Sequence, residues 1–108
     1  MEDLSFIPIA TFSVLRGLPL VVLSRNSLYP AVIVGRDSLT VRVIRRHRLH
    51  FDDIGEIRLS RPLTYQLTIT PRRGFRAFSA NFLRREEAVR VVEALKSRGL
   101  KSDVQYLA

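Results

Sequence analysis

The 108-residue chain has no cysteine and no tryptophan, and methionine occurs once. Without cysteine there is no disulfide framework, no thiolate metal site and no cysteine nucleophile. Long apolar runs are missing too. The longest near the N-terminus, Leu18 to Leu23, is six residues, whereas a membrane-spanning helix needs about 20. Met1-Glu2-Asp3 is acidic where a secretory signal is basic. The location expected is cytoplasmic, at most peripheral to the inner face of a membrane. There is no G-x-S-x-G elbow, no P-loop and no dinucleotide fingerprint. These absences point away from an enzyme and from any cofactor, and no small-molecule substrate suggests itself.

What is present suits one folded domain spanning residues 1–108. Hydrophobic residues make up 46% and charged residues 26%, which separates the chain from disordered sequences. The charge balance is uneven: 18 basic against 10 acidic residues, a net +8, with 16 of the 18 being arginine. Such a surplus favours acidic partners without dictating a fold. It also follows from a composition rich in arginine for reasons unrelated to binding.

Single prolines and glycines punctuate short stretches that alternate apolar and polar residues, the pattern of many short strands. Leu39, Val41 and Val43 alternate with Ser38, Thr40 and Arg42. Leu49 and Phe51 continue the alternation after Arg45-Arg46-His47, which reads as a hairpin with a basic tip. Ile57 and Leu59 follow. Tyr65, Leu67 and Ile69 then alternate with Thr64, Gln66, Thr68 and Thr70, a composition suited to a strand. Pro71-Arg72-Arg73-Gly74 is a turn, with proline fixing φ and glycine free to take positive φ; Phe75 to Ser79 returns as its partner strand. Leu20 to Ser24 and Tyr29 to Val34 read as strands joined by Arg25-Asn26-Ser27. Ile9 to Leu15 is either a strand or a loose arm.

The period changes near residue 83. Leu83, Ala88, Val91, Val92 and Leu95 fall on one helical face. Asn81 suits an N-cap, Glu86 and Glu87 suit the first turn, Lys96 and Arg98 the last, and Gly99 the position just beyond. The spacing predicts a helix over about 83–98. The fold class is thus mainly β, with roughly six to eight short antiparallel strands and one C-terminal helix that buries its stripe against a rolled sheet.

The run Val34-Gly35-Arg36-Asp37-Ser38-Leu39-Thr40-Val41-Arg42, followed by Arg48-Leu49-His50-Phe51-Asp52-Asp53-Ile54, resembles the bacterial pleckstrin-homology-like (PH-like) domains. Leu67-Thr68-Ile69 before the turn and a helix from Glu87 to Leu100 fit the same plan. The resemblance covers about 20–100. It leaves 1–17 as an N-terminal arm or first strand and 100–108 as a tail. It implies a strongly bent antiparallel barrel of about seven strands with the helix plugging one end, a superfold that hosts lipid binders, peptide binders and oligomeric scaffolds. Eukaryotic lipid-binding members carry basic residues in the loop between their first two strands. Here that loop is Arg25-Asn26-Ser27 or Arg16-Gly17, and neither is a dense basic cluster.

Two arginine groups stand out as anion- or lipid-binding candidates: Arg42, Arg45, Arg46 and Arg48 with His47, and Arg72, Arg73 and Arg76. Convergence of the two hairpins would make one cationic patch; divergence would dissolve it. Phe51 and Phe75 flank the clusters at strand positions that look inward, so the stacking platforms typical of nucleic-acid binders are missing, and Phe78 is out of phase with Phe75 and Ala77. Asp52, Asp53 and Glu56 read as a capped turn, and His47 with His50 lacks a third ligand, so no metal is expected. Apolar residues near the ends, Phe6, Ile7 and Ile9 and then Tyr106 and Leu107, are interface candidates. The function expected is a non-enzymatic binding or assembly module whose partner is itself or another protein. Anionic membrane is the alternative partner, and nucleic acid the lesser one.

Overall fold

The computed structural model describes residues 2–16, 18–26, 29–61 and 64–106. Ten strands and one α-helix follow in order: β1 (Leu4–Phe6), β2 (Ala10–Leu15), β3 (Leu18–Asn26), β4 (Ala31–Val34), β5 (Ser38–Arg42), β6 (Arg46–His50), β7 (Ile54–Ser60), β8 (Tyr65–Pro71), β9 (Arg76–Phe82), α1 (Arg85–Ser97) and β10 (Asp103–Tyr106). A single 3-10 turn, Phe51–Asp53, joins β6 to β7.

The strands form two sheets. One has the order β1-β4-β5-β6, the other β10-β7-β8-β9-β2-β3. Two three-stranded meanders, β4-β5-β6 and β7-β8-β9, account for the central alternating stretches of the sequence. Val41 pairs with His47 in the first, and Leu67 with Ala80 in the second. The period-two pattern works as chemistry predicts: Leu39, Val41, Ile57, Leu59, Leu67 and Ile69 all turn into one core, while Thr40, Arg58 and Thr68 face outward or remain partly exposed.

Within the segment 9–15, Ala10–Leu15 becomes β2, an interior strand one place from the sheet edge. β2 pairs with β3 on one side and with β9 on the other, where Thr11 lies opposite Ala80 and Ser13 opposite Phe78. Thr11 Oγ1 donates to the carbonyl of Arg42, linking the two sheets. The strand count therefore exceeds the roughly seven expected. The pairing is not wholly antiparallel either, because β10 lies parallel to β7 at the sheet edge; the helix crossover between β9 and β10 permits this.

α1 is packed against β8, β9, β1 and β4. Ala88, Val91, Val92 and Leu95 are fully buried, joining Phe82, Ile57, Leu67 and Ile69 in one cluster. Burying a single Leu or Val side chain is worth about 1.5–3 kcal/mol, so this stripe anchors the helix. Its start differs from the expected one. β9 runs through Phe82, Arg84 occupies the N-cap position without a side-chain cap bond, and Leu83 is 71% exposed. Asn81, expected as a cap, is instead a strand residue opposite Ala10 and Gln66. Tertiary pairing with β2 and β8 outweighs the local signal of an Asn before an apolar run.

The end of α1 follows its signals. The N–H of Leu100 bonds to the carbonyl of Leu95 (3.0 Å) and that of Gly99 to Lys96 (3.2 Å). Gly99 has φ +104°, and Leu100 is buried beyond it. This is a Schellman closure, which needs a residue tolerant of positive φ. Arg98 then reaches across, donating from Nη1 to the carbonyl of Val34 (2.9 Å) and from Nη2 to that of Glu2.

Candidate functional site

The β5–β6 turn is Val43-Ile44-Arg45, two residues earlier than the basic tip expected, since Arg46 and His47 already belong to β6. Val43 is buried and Ile44 is 74% exposed, so the outermost side chains of this hairpin are Ile44 and Arg45. The β8–β9 turn carries Arg72, Arg73, Gly74 (φ +92°) and Phe75. Phe75 is 62% exposed and Phe78 is 4% exposed, the reverse of the inward Phe75 expected. The turn extends through Phe75, and Phe78 then faces the core from β9, a strand whose residues 77–80 are all buried.

The seven arginine candidates divide into four settings. Arg42 stands over Tyr29, its Cζ 5.8 Å from the ring centroid. Arg46 and Arg48 line a surface groove of about 390 Å³ together with Arg36, Asp3, Asp37 and Ser38, and Arg48 Nε donates to Ser38 Oγ (3.2 Å). Arg72 is occupied structurally: its Nε donates to the carbonyl of Asp52 (2.7 Å), its N–H to that of Asp53 (2.8 Å), and its own carbonyl accepts from Arg16 Nη1 (3.1 Å). Arg73 lies beside Leu49, Asp52 and Asp53. Asp52 and Asp53 thus serve this turn contact and the 3-10 turn.

Arg45 and Arg76 make the fourth setting, on the two hairpins that touch through His47 and Phe78. His47 is half-buried, its ring 4.7 Å from that of Phe78, centroid to centroid, with the planes inclined by 38°. Burial pushes the imidazole pKa below its ordinary value, and the positive charges of Arg76 and then Arg45 push it the same way. Arg76 holds its Cζ 5.7 Å above the ring of Phe75. In chain order, an exposed apolar residue precedes each cation: Ile44 before Arg45, and Phe75 before Arg76. Composition offers no hint of this contact, because His47 and Phe78 are brought together by two sheets folding over each other. Among the described residues the sole ion pair is Arg58 with Glu56 (3.3 Å), so most of the arginine charge is unneutralised.

The apolar interface candidates also separate. Phe6 is half-buried and packs on the core. Ile7 is 77% and Ile9 43% exposed. The N–H of Ile9 donates to the carbonyl of Asn81 (2.7 Å), and Ala10 lies opposite Asn81. This register brings the 7–9 linker alongside the end of β9, next to the exposed Leu83, which the helical pattern had assigned to the buried stripe. Tyr106 lies elsewhere, on β10, with Lys96 Nζ 5.6 Å from its ring centroid; Leu107 lies outside the described residues. No three His, Asp or Glu among the described residues gather as a metal-ligand set, and no described helix is long and apolar enough to cross a membrane.

No protein-family model matches the sequence, and none of the curated proteins compared with it does. Among solved structures, the Spt16D–Pob3N heterodimer contains a chain of similar fold, with a TM-score of 0.68 and 15% identity over 98% of this chain and 54% of that one. The present chain therefore spans about half the length of that neighbour. At this identity the likeness concerns architecture alone. The architecture is the PH-like one: two sheets bent around a common core, followed by a C-terminal helix.

Proposed function

We propose that the protein is a non-catalytic protein-binding module that associates with a second copy of itself through the apolar end formed by Ile7, Ile9 and Leu83. The observation that carries this reading is the exposure of these three side chains on segments that the Ile9–Asn81 backbone bond holds alongside each other. Large apolar residues scattered singly are ordinary on a surface, but grouped ones mark contact sites. Leu4 and Phe6 extend the apolar character into a groove of about 590 Å³ between β1 and α1, which Arg90, Glu93, Ala94 and Ser97 complete. A two-fold arrangement would place the same patch on both sides of the contact and cover it twice over. A PH-like chain also occurs in a two-protein assembly in the Spt16D–Pob3N heterodimer.

Sedimentation velocity across the micromolar range tests this. The expected result is a concentration-dependent dimer or larger species, with Ile7→Asp/Leu83→Asp monomeric and unchanged in circular dichroism. A wild-type chain that stays monomeric throughout overturns the reading.

A further inference from the structure

The open edge of β6 is separate from the apolar end, and the proposed self-association does not use it. We infer that this edge receives an extended acidic segment of another protein as an added strand, with carboxylates opposite Arg46 and Arg48.

The backbone supplies the first argument. The N–H of Phe51 donates to the carbonyl of Asp37 (2.9 Å) and that of Val43 to the carbonyl of Arg45 (3.0 Å), at the two ends of the β5–β6 ladder. Bonded pairs alternate along an antiparallel ladder, so between these ends His47 and Leu49 bond to β5, opposite Val41 and Leu39. The N–H and C=O groups of Arg46, Arg48 and His50 point the other way. β6 is the last strand of its sheet, and among the described residues none of these groups has a backbone partner. A second extended chain would satisfy them, which is how exposed sheet edges capture peptides.

The side chains select the chain. On the outward face Arg46 lies directly opposite Arg42, and Arg48 opposite Thr40. Like charges directly opposite each other are destabilising in a ladder, and opposite charges are stabilising. Arg36 joins Arg46 and Arg48 around the groove of about 390 Å³, over which Arg48 is held by its bond to Ser38 Oγ (3.2 Å). Asp3 and Asp37 line the same groove, but neither comes within ion-pair distance of its arginines. Residues of an incoming strand opposite Arg46 and Arg48 are therefore acidic. On the inward face His47 and Leu49 are half-buried, and apolar residues between the acids would cover them. The segment that fits alternates acidic and apolar residues.

The same charges turn away other strands. A neutral strand leaves the repulsion between Arg42 and Arg46 in place. Centred on Arg48, an antiparallel pairing of two β6 strands sets Arg48 against Arg48 and Arg46 against His50, so the edge resists a second copy, as charged edges do.

The test uses a fluorescent peptide of alternating glutamate and valine, followed by anisotropy at about 0.15 M salt and by amide hydrogen exchange of the protein. Expected are saturable binding and slowed exchange at the Arg46, Arg48 and His50 amides, a protection that charge attraction alone does not give. The glutamates lie in the bonded pairs, so N-methylation of the glutamate amides should abolish binding, and N-methylation of the valine amides, which face away from β6, should spare it. Arg46→Glu/Arg48→Glu should lose the peptide by about tenfold or more and gain one of alternating lysine and valine, a reversal that an unfolded variant could not show. Arg84→Glu/Arg85→Glu makes the same charge change elsewhere and should leave binding unchanged. Absence of binding, binding without protection of the three amides, equal effects of the two N-methylations, equal loss in the Arg84/Arg85 control, or capture of an oligonucleotide in place of the peptide overturns the inference. The Ile7→Asp/Leu83→Asp variant should bind the peptide normally, which keeps this result distinct from failure of self-association.

Discussion

His47 rests its imidazole on the ring of Phe78, a contact between the edge strand of one sheet and the interior of the other. The arrangement ties a titrating group to the core.

Stability should consequently fall on acidification. The folded state holds the His47 pKa below its unfolded value of about 6.5. The unfolded chain therefore binds more protons in this window, and stability rises with pH. The neutral imidazole is accommodated without penalty above the unfolded value, and that advantage is lost as pH falls through the lowered folded one. Thermal melts should show Tm decreasing below about pH 6.5, and His47→Phe should flatten the slope. An unchanged slope in that variant would assign the pH dependence to other groups.

Leu83 and Leu95 are both in helical phase in the sequence but differ in the structure, with 71% and 0% exposure. Leu95→Ala should cost about 2–5 kcal/mol in chemical denaturation. Leu83→Ser should stay within about 0.5 kcal/mol, as exposed substitutions usually do. Equal losses would place the helix start at residue 83 after all.

Ser79 is fully buried on β9, and its hydroxyl has no hydrogen-bond partner among the described residues. An unpaired buried hydroxyl costs about 1–3 kcal/mol of desolvation. Ser79→Ala should therefore leave Tm unchanged or raise it, despite the lost side-chain volume. A clear decrease would reveal a partner for this hydroxyl.

Elements whose signals are local were legible in the sequence. Val41 and Ile69 announce their strands by alternation, Gly74 its turn, and Gly99 the end of the helix. Asn81 and Leu83 misled because a cap signal and a helical stripe overlap the end of a strand that is held by two neighbours. Phe75 misled because the turn claims one residue more than its Pro-Gly signature. β2 was ambiguous because its long-range partner is β9, and no local feature of Ala10–Leu15 encodes that pairing. The candidate site shares this origin. His47 and Phe78 are each visible as residues, but their contact exists once the sheets have closed.

The position of β2 also sets the order in which the chain can fold. Its hairpin with β3 forms from adjacent sequence, yet its other edge waits for β9. At a synthesis rate of about 5–20 residues per second, that edge stays unpaired for several seconds after β3 has emerged. During this interval a strand destined to be paired on both edges is an open template for any extended chain nearby. Closure then demands a long loop, which slows folding relative to proteins whose neighbours in space are neighbours in sequence.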